Sequence, residues 1–208
     1  MIEKYTIGDF STNTYVLSKG NKAIIIDPSI NFEKIIDRIK SEYQIVAVLI
    51  THAHIDHVDG IKYLEDYPIY FPRIDYLYLK DPGYTLYGWY NEELPFNPEE
   101  LDIHLLDNGN IIKIDDFKIE CYATPGHTLG GMIFKYEDVI FTGDTLFKSS
   151  IGRTDLKGGD LRELYKSICF ILDTFDPETR LFPGHDSETT IKDEKVNNLY
   201  YIDASKTI

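Results

Sequence analysis

The chain has 208 residues, 43% hydrophobic and 27% charged, a balance that excludes a disordered or fibrous protein and provides enough apolar material for a sizeable core. A formal net charge of −14 with no compensating Lys/Arg stripe argues against nucleic acid as substrate or partner. No apolar run approaches the roughly 20 residues that cross a bilayer, and Met1 to Asp9 alternates polar and apolar residues without the basic start and apolar centre of a secretory signal. A cytoplasmic protein without membrane contact is expected, and sparse cysteine usage, Cys121 and Cys169, suits a reducing compartment.

In chain order, Asn13 to Ser18 and Lys22 to Asp27 read as strands separated by the turn signal Gly20-Asn21, and Asp27-Pro28-Ser29 ends the second. Phe32, Ile35, Ile36 and Ile39 recur at helical spacing, which predicts a helix over Asn31 to Tyr43. Ile45 to Ile50 is a continuous apolar run suited to a buried strand. A short helix is expected over His57 to Glu65 and a strand over Pro68 to Phe71. Arg73 to Glu100, rich in Tyr, Pro and Gly, reads as one helix followed by a long loop. Strands then follow at Ile111 to Ile114, Phe117 to Ala123, Met132 to Tyr136 and Val139 to Thr142. Next come a helix over Leu161 to Phe175, a strand over Arg180 to Phe182, and a last helix over Glu188 to Tyr200. Two sheets packed face to face with helices outside would bury these faces. The whole of 1–208 is read as one domain with two similar halves, about 1–105 and 106–208.

The chemistry concentrates at strand ends. His52-Ala53-His54-Ile55-Asp56-His57 follows the buried strand, and the alternation of His52, His54 and Asp56 puts them on one side of an extended stretch. A turn into the next helix would bring His57 round. Three imidazoles packed together would compete for protons without a strong cationic partner, and imidazole with carboxylate suits zinc or iron rather than calcium. Of the six histidines in the chain, two more, His127 and His185, follow strands in Pro-Gly-His segments, and Asp144 follows a strand in Thr142-Gly143-Asp144. Strand-end loops can aim side chains at a common point. His104 alternates with Ile103 and Leu105, points out of a strand, and is given no metal role.

This set, in this order and with its flanking glycines, resembles the metallo-β-lactamase superfamily from Asn13 to about Asn197. The resemblance implies an α/β four-layer αββα sandwich with two divalent metal ions at one edge, zinc by preference and iron or manganese as alternatives. It implies that His52, His54 and His127 hold the first ion, that Asp56, His57 and His185 hold the second, and that Asp144 bridges them. Asp56 and Asp144 are the expected catalytic carboxylates.

Thr142-Gly143-Asp144-Thr145-Leu146-Phe147, Gly152-Arg153-Thr154-Asp155 and Glu188 to Lys195 are similar to short bacterial members of the glyoxalase II-like branch. That branch implies water-driven cleavage of a thioester or ester of the hydroxyacylglutathione type, with Arg153 as a candidate for the substrate carboxylate. The glutathione site itself carries over poorly. Asp155 and Ser187 stand where glyoxalase II has tyrosines, and no counterpart of the helical domain that helps bind glutathione is expected from these 208 residues. A structural pair between Arg153 and Asp155 is the competing reading of that arginine. Tyr84, Tyr87, Trp89 and Tyr90 either line the pocket, cover a partner subunit or pack their loop on the core. The alternatives to thioester hydrolysis are a persulfide dioxygenase of the same fold, with one iron on His52, His127 and Asp144, and a lactonase. The partner is a small molecule, and a homo-oligomer is left open.

Overall fold

The computed structural model describes residues 1–207, and strand alternation sorts their apolar side chains into three cores between four layers. The first sheet runs β1 (Ile2–Ile7), β2 (Thr12–Lys19), β3 (Lys22–Ile26), then, after helix α1 (Glu33–Glu42), β4 (Gln44–Leu49), β5 (Ile69–Pro72) and β6 (Ile103–Leu106), with the strands neighbouring in that order. β1 to β3 pair antiparallel and β3 to β6 pair parallel. The second sheet holds β7 (Ile111–Ile114), β8 (Phe117–Ala123), β9 (Met132–Tyr136), β10 (Val139–Gly143), β13 (Arg180–Pro183) and β14 (Thr189–Thr190). A small hairpin, β11 (Leu146–Phe147) with β12 (Ser150–Ile151), stands apart from both sheets.

Tyr15 and Leu17 of β2, Ile24 and Ile26 of β3, and Ala47 and Leu49 of β4 face Phe117, Phe134, Phe141 and Phe182 of the second sheet. The intervening residues Val16, Ile25 and Val48 face the other way, onto Phe32, Ile36 and Ile39 of the α1 segment. In the second sheet Ile133, Ile140 and Leu181 turn outward onto Leu164, Ile168, Ile171 and Leu172 of α5 (Leu161–Thr174). Side chains of period two on strands and 3.6 on helices produce this helix–sheet–sheet–helix order. No helix among the described residues is long and apolar enough to cross a membrane.

Several expected elements differ. The expected helix over His57 to Glu65 is a single turn, α2 (Ile55–Val58), followed by a 3-10 turn over Asp59–Tyr63. Gly60 donates its amide to the Pro28 carbonyl instead of continuing an α-helix. The 73–100 segment contains α3 (Arg73–Leu77), α4 (Pro82–Thr85) and a 3-10 turn over Tyr87–Tyr90, where one helix and a loop are expected. Leu86 and Asn91 break it by taking left-handed backbone, with φ of 71° and 52°. The last expected helix splits into β14, α6 (Ile191–Asn197) and α7 (Leu199–Thr207). Asn198 causes the split: its side-chain carbonyl accepts the amides of Tyr200 and Tyr201 and so caps the new helix.

The two sheets are tied at the end where their loops meet. Met132 N donates to Thr51 O over 2.9 Å, Asn13 N to Gly184 O over 2.7 Å, and the Tyr15 hydroxyl to Pro183 O over 2.7 Å. The loops that follow β4, β8, β10 and β13 are thereby held over a common point.

Candidate metal centre

At that point the structure brings together all seven side chains singled out above. Donor atoms of His52, His54 and His127 lie within 4.8 Å of one another, as do those of His52, His57 and Asp144, and those of Asp56, His57 and His185. His104 lies elsewhere, on β6, with its ring stacked on Tyr70 at 4.8 Å.

The surroundings fix which nitrogen each imidazole presents. Nδ1 of His127 lies 2.7 Å from the Arg153 carbonyl oxygen, which can only accept, so this nitrogen carries the proton and Nε2 keeps its lone pair. Nδ1 of His57 donates in the same way to Asp27 Oδ2 over 2.9 Å. The Thr51 hydroxyl gives its proton to Asp27 Oδ2 over 2.7 Å and is left to accept from Nδ1 of His52 at 3.1 Å. His52, His57 and His127 therefore all turn Nε2 inward, the orientation that second partners impose on metal-binding histidines.

Nε2 of His52 and Nε2 of His127 both approach Nδ1 of His54, at 3.1 and 2.9 Å. One proton on His54 cannot satisfy two lone pairs at once, whereas a cation can accept all three nitrogens. Across the centre, His57 Nε2 lies 3.4 Å from both Asp56 Oδ2 and Asp144 Oδ1. His185 Nε2 lies 3.3 Å from Asp56 Oδ2 and from Asp144 Oδ2. These spacings are long for a charged hydrogen bond and match the ~3.4 Å between ligands arranged tetrahedrally about an ion at 2.0–2.1 Å. His57 Nε2 and Asp144 Oδ1 are buried with no hydrogen-bond partner among the described residues. Donor types, spacing and unpaired atoms all fit divalent metal ions.

The electrostatics agree. Burial works against the charged forms of Asp56 and Asp144, but His57 and His185 outweigh it and hold both carboxylates well below their usual range. Burial also opposes protonation of His57 and His185. The carboxylates of Asp56 and Asp144 outweigh it, raising His57 well above its ordinary value and His185 to about 10. His52 and His54 are pushed well down, by burial and by neighbouring imidazoles. On one side of the centre the two carboxylates stay ionised, and on the other His52 and His54 stay neutral and ready to bind.

Gly184 makes the close approach feasible. A Cβ there would collide with Asp144 Oδ1 and sit 2.7 Å from His57 Cε1. Gly143, at φ +47°, turns the chain so that Asp144 enters the centre, and a Cβ there would lie 2.5 Å from the Thr51 hydroxyl.

Residues not singled out from sequence complete the site. Asp27 serves both Thr51 and His57, and its place directly after a buried strand is the signal that could have marked it. Thr12 donates to Asp56 Oδ2 over 2.7 Å. Asp75, fully buried, accepts the amides of Ala53 and Gly130 and the hydroxyl of Tyr84, so it links the loop of His52 and His54 to the loop of His127. No local pattern marks Asp75. Tyr84 and Tyr87 are core residues, whereas Trp89 and Tyr90 stand exposed beside the centre. They line an open cleft of about 130 Å³ together with His54, Asp56, Asp144 and His185. Arg153 lines it too, with its guanidinium bound by both Asp155 oxygens at 2.7 and 2.8 Å.

Residues 7–185 match the metallo-beta-lactamase superfamily, and the chain belongs to that superfamily. A Bacillus subtilis protein named probable metallo-hydrolase YqgX is 32% identical over 199 residues, covering 92% of this chain and 93% of the relative. Among solved structures, BLEG-1, described as a B3 metallo-beta-lactamase, is 34% identical with a TM-score of 0.89, over 97% of this chain and 99% of that one. TTHA1623 in a di-iron-bound form is 31% identical with a TM-score of 0.81, over 94% and 98% of the two chains.

Proposed function

We propose that this protein is a metallohydrolase that uses two divalent metal ions, zinc by preference, to cleave a small thioester or ester in the manner of the glyoxalase II-like branch. The observation that carries this reading is the convergence of seven donor side chains into three overlapping groups, each within 4.8 Å. His52, His54 and His127 would hold one ion, Asp56, His57 and His185 the other, and Asp144 would serve both. Ions bound there would supply a nucleophile by lowering the pKa of water and would polarise the substrate carbonyl. The iron found in the related TTHA1623 keeps iron open as the native metal.

The chain's own residues prepare this chemistry. Asp56 is kept as a carboxylate, oriented by the Thr12 hydroxyl, and faces the cleft, where it can orient the attacking water. Asp27 and the Arg153 carbonyl hold the imidazoles in place, so no reorientation is needed during the reaction. A thiolate leaves without a proton whereas an amine requires one, which favours thioester and ester over amide.

The likeness to BLEG-1 makes β-lactam opening the second reading. A one-iron persulfide dioxygenase would need only His52, His127 and Asp144, and leaves the approach of Asp56, His57 and His185 without a purpose. Metal analysis of the purified protein, joined to assays on lactoylglutathione, a lactone, a cephalosporin and glutathione persulfide, tests these readings. The expected result is about two ions per chain with hydrolysis of an ester or thioester. About one iron per chain with oxygen uptake on the persulfide would overturn it.

A further inference from the structure

The wall of the cleft carries information about the substrate that the metal centre does not. Trp89 is 60% exposed, Tyr90 47% and Phe10 37%, although large apolar side chains are costly to leave in water. They are not scattered. Phe10 and Tyr90 meet edge to face at 5.7 Å, and together with Trp89, Leu86 and Leu156 they line the same cleft as Asp56, Asp144 and His185. Phe10 and Tyr90 also line a second cavity of about 220 Å³ that continues past them to Ile30 and Ile55. A track walled by aromatic and aliphatic side chains at the centre, and by mixed apolar and charged ones farther out, therefore runs from the reactive centre.

Charge along this track is set against anions. Outside the metal centre and its histidines, the only cation lining the cleft among the described residues is Arg153, and its Nε and Nη2 are already paired with the two oxygens of Asp155. In the second cavity Lys62 is bound to Asp59 at 2.7 Å, and Asp9 and Glu92 add further negative charge. Away from the metal centre, a substrate carrying carboxylates or phosphates would meet acidic side chains and already paired cations, inside a chain of net charge −14.

We infer that the preferred substrate is an uncharged thioester or ester whose apolar acyl group lies on Phe10, Trp89 and Tyr90, and that anionic thiol partners such as glutathione are disfavoured. This rests on the hydrolase reading above and narrows it to a substrate class. The acyl group replaces water on the aromatic wall, while the carbonyl is held beside Asp56 and Asp144.

Two measurements separate this inference from the reading beneath it. The first compares kcat/KM of the metal-loaded protein for N-acetylcysteamine thioesters from acetyl to octanoyl with the glutathione thioesters of the same acids. The expected rise is about two- to fourfold per added methylene, with each glutathione thioester at least about tenfold poorer than its neutral counterpart. Trp89→Ala should lower the octanoyl-to-acetyl ratio by about tenfold. A flat chain-length profile, or a preference for the glutathione thioesters, would overturn the inference while leaving hydrolysis intact. The second does not depend on turnover. Trp89 is the sole tryptophan of the chain, so its fluorescence reports directly on this wall. The thioether analogue of octanoyl-N-acetylcysteamine should change the emission saturably, and S-octylglutathione should require at least tenfold higher concentration. Should no ester be hydrolysed yet the neutral thioether bind selectively, the apolar site stands and the hydrolase reading fails. Equal or reversed binding of the two thioethers overturns the site.

Discussion

The Oδ2 atom of Asp27 lies 2.9 Å from Nδ1 of His57, and this contact decides which nitrogen of that imidazole faces the centre. Asp27 is not among the residues lining the cleft beside the centre, yet the nitrogen that His57 turns inward depends on it. In Asp27→Asn the amide NH2 can face Nδ1 and favour the opposite tautomer. Metal affinity should fall by about 10- to 100-fold, the usual range for a lost second partner of a metal-binding histidine. Competition against a chromophoric chelator measures this, and an unchanged affinity would show that His57 is oriented by something else.

Asp144 and His104 make a contrasting pair. Asp144 is buried within reach of His57, His127 and His185, whereas His104 stands on β6 against Tyr70. Asp144→Ala should lose at least one ion and more than about 100-fold in activity. His104→Ala should keep both ions and full activity. Elemental analysis and steady-state assay of the two variants decide the matter.

The pH response should change sign with metal. In the metal-free protein His57 and His185 are raised above the ordinary histidine value of 6.5, His185 to about 10, because Asp56 and Asp144 outweigh the opposing effect of burial. A raised histidine stabilises the fold fully below its unfolded pKa, and that stabilisation is lost as pH rises through the folded value. The metal-free protein should therefore lose stability from about pH 6.5 upward through the range set by His185. Metal takes the unprotonated imidazoles, so over the same range the metal-bound form should gain relative to it. Thermal melts with and without metal, and calorimetric titration in buffers of different ionisation enthalpy, test both halves. Metal binding at neutral pH should release about one to two protons per chain. A metal-free Tm that climbs over this range would contradict the assignment.

Tyr84 bears on stability and on the centre together. Its hydroxyl donates to Asp75 over 2.6 Å, out of solvent, and accepts the Leu129 amide over 2.9 Å at a partly buried position. Tyr84→Phe removes both bonds and should destabilise the protein by about 1–3 kcal/mol, the cost of leaving buried polar groups unpaired. Urea unfolding of the metal-free protein measures it. A change below about 0.5 kcal/mol would mean that the neighbouring groups find other partners.

The sequence by itself marked most of the sheet strands and the seven converging side chains. Apolar alternation in β2, β3, β9 and β10 has one dominant period, and a ligand packed beside others of its kind, as in His52 to His57, has few alternative uses. It also marked His104 as outward-facing, because strand alternation leaves little choice. Only the tertiary structure decided what supports and surrounds the centre. Asp27, Asp75 and Thr12 meet partners 22 to 55 residues away, and no local pattern encodes such a distance. The 73–100 segment likewise depends on left-handed turns at Leu86 and Asn91, which packing imposes against local preference. Whether Trp89 and Tyr90 join the core or face the cleft is settled by how that segment lies across the ends of both sheets, because hydrophobicity favours either outcome and only the available space selects between them.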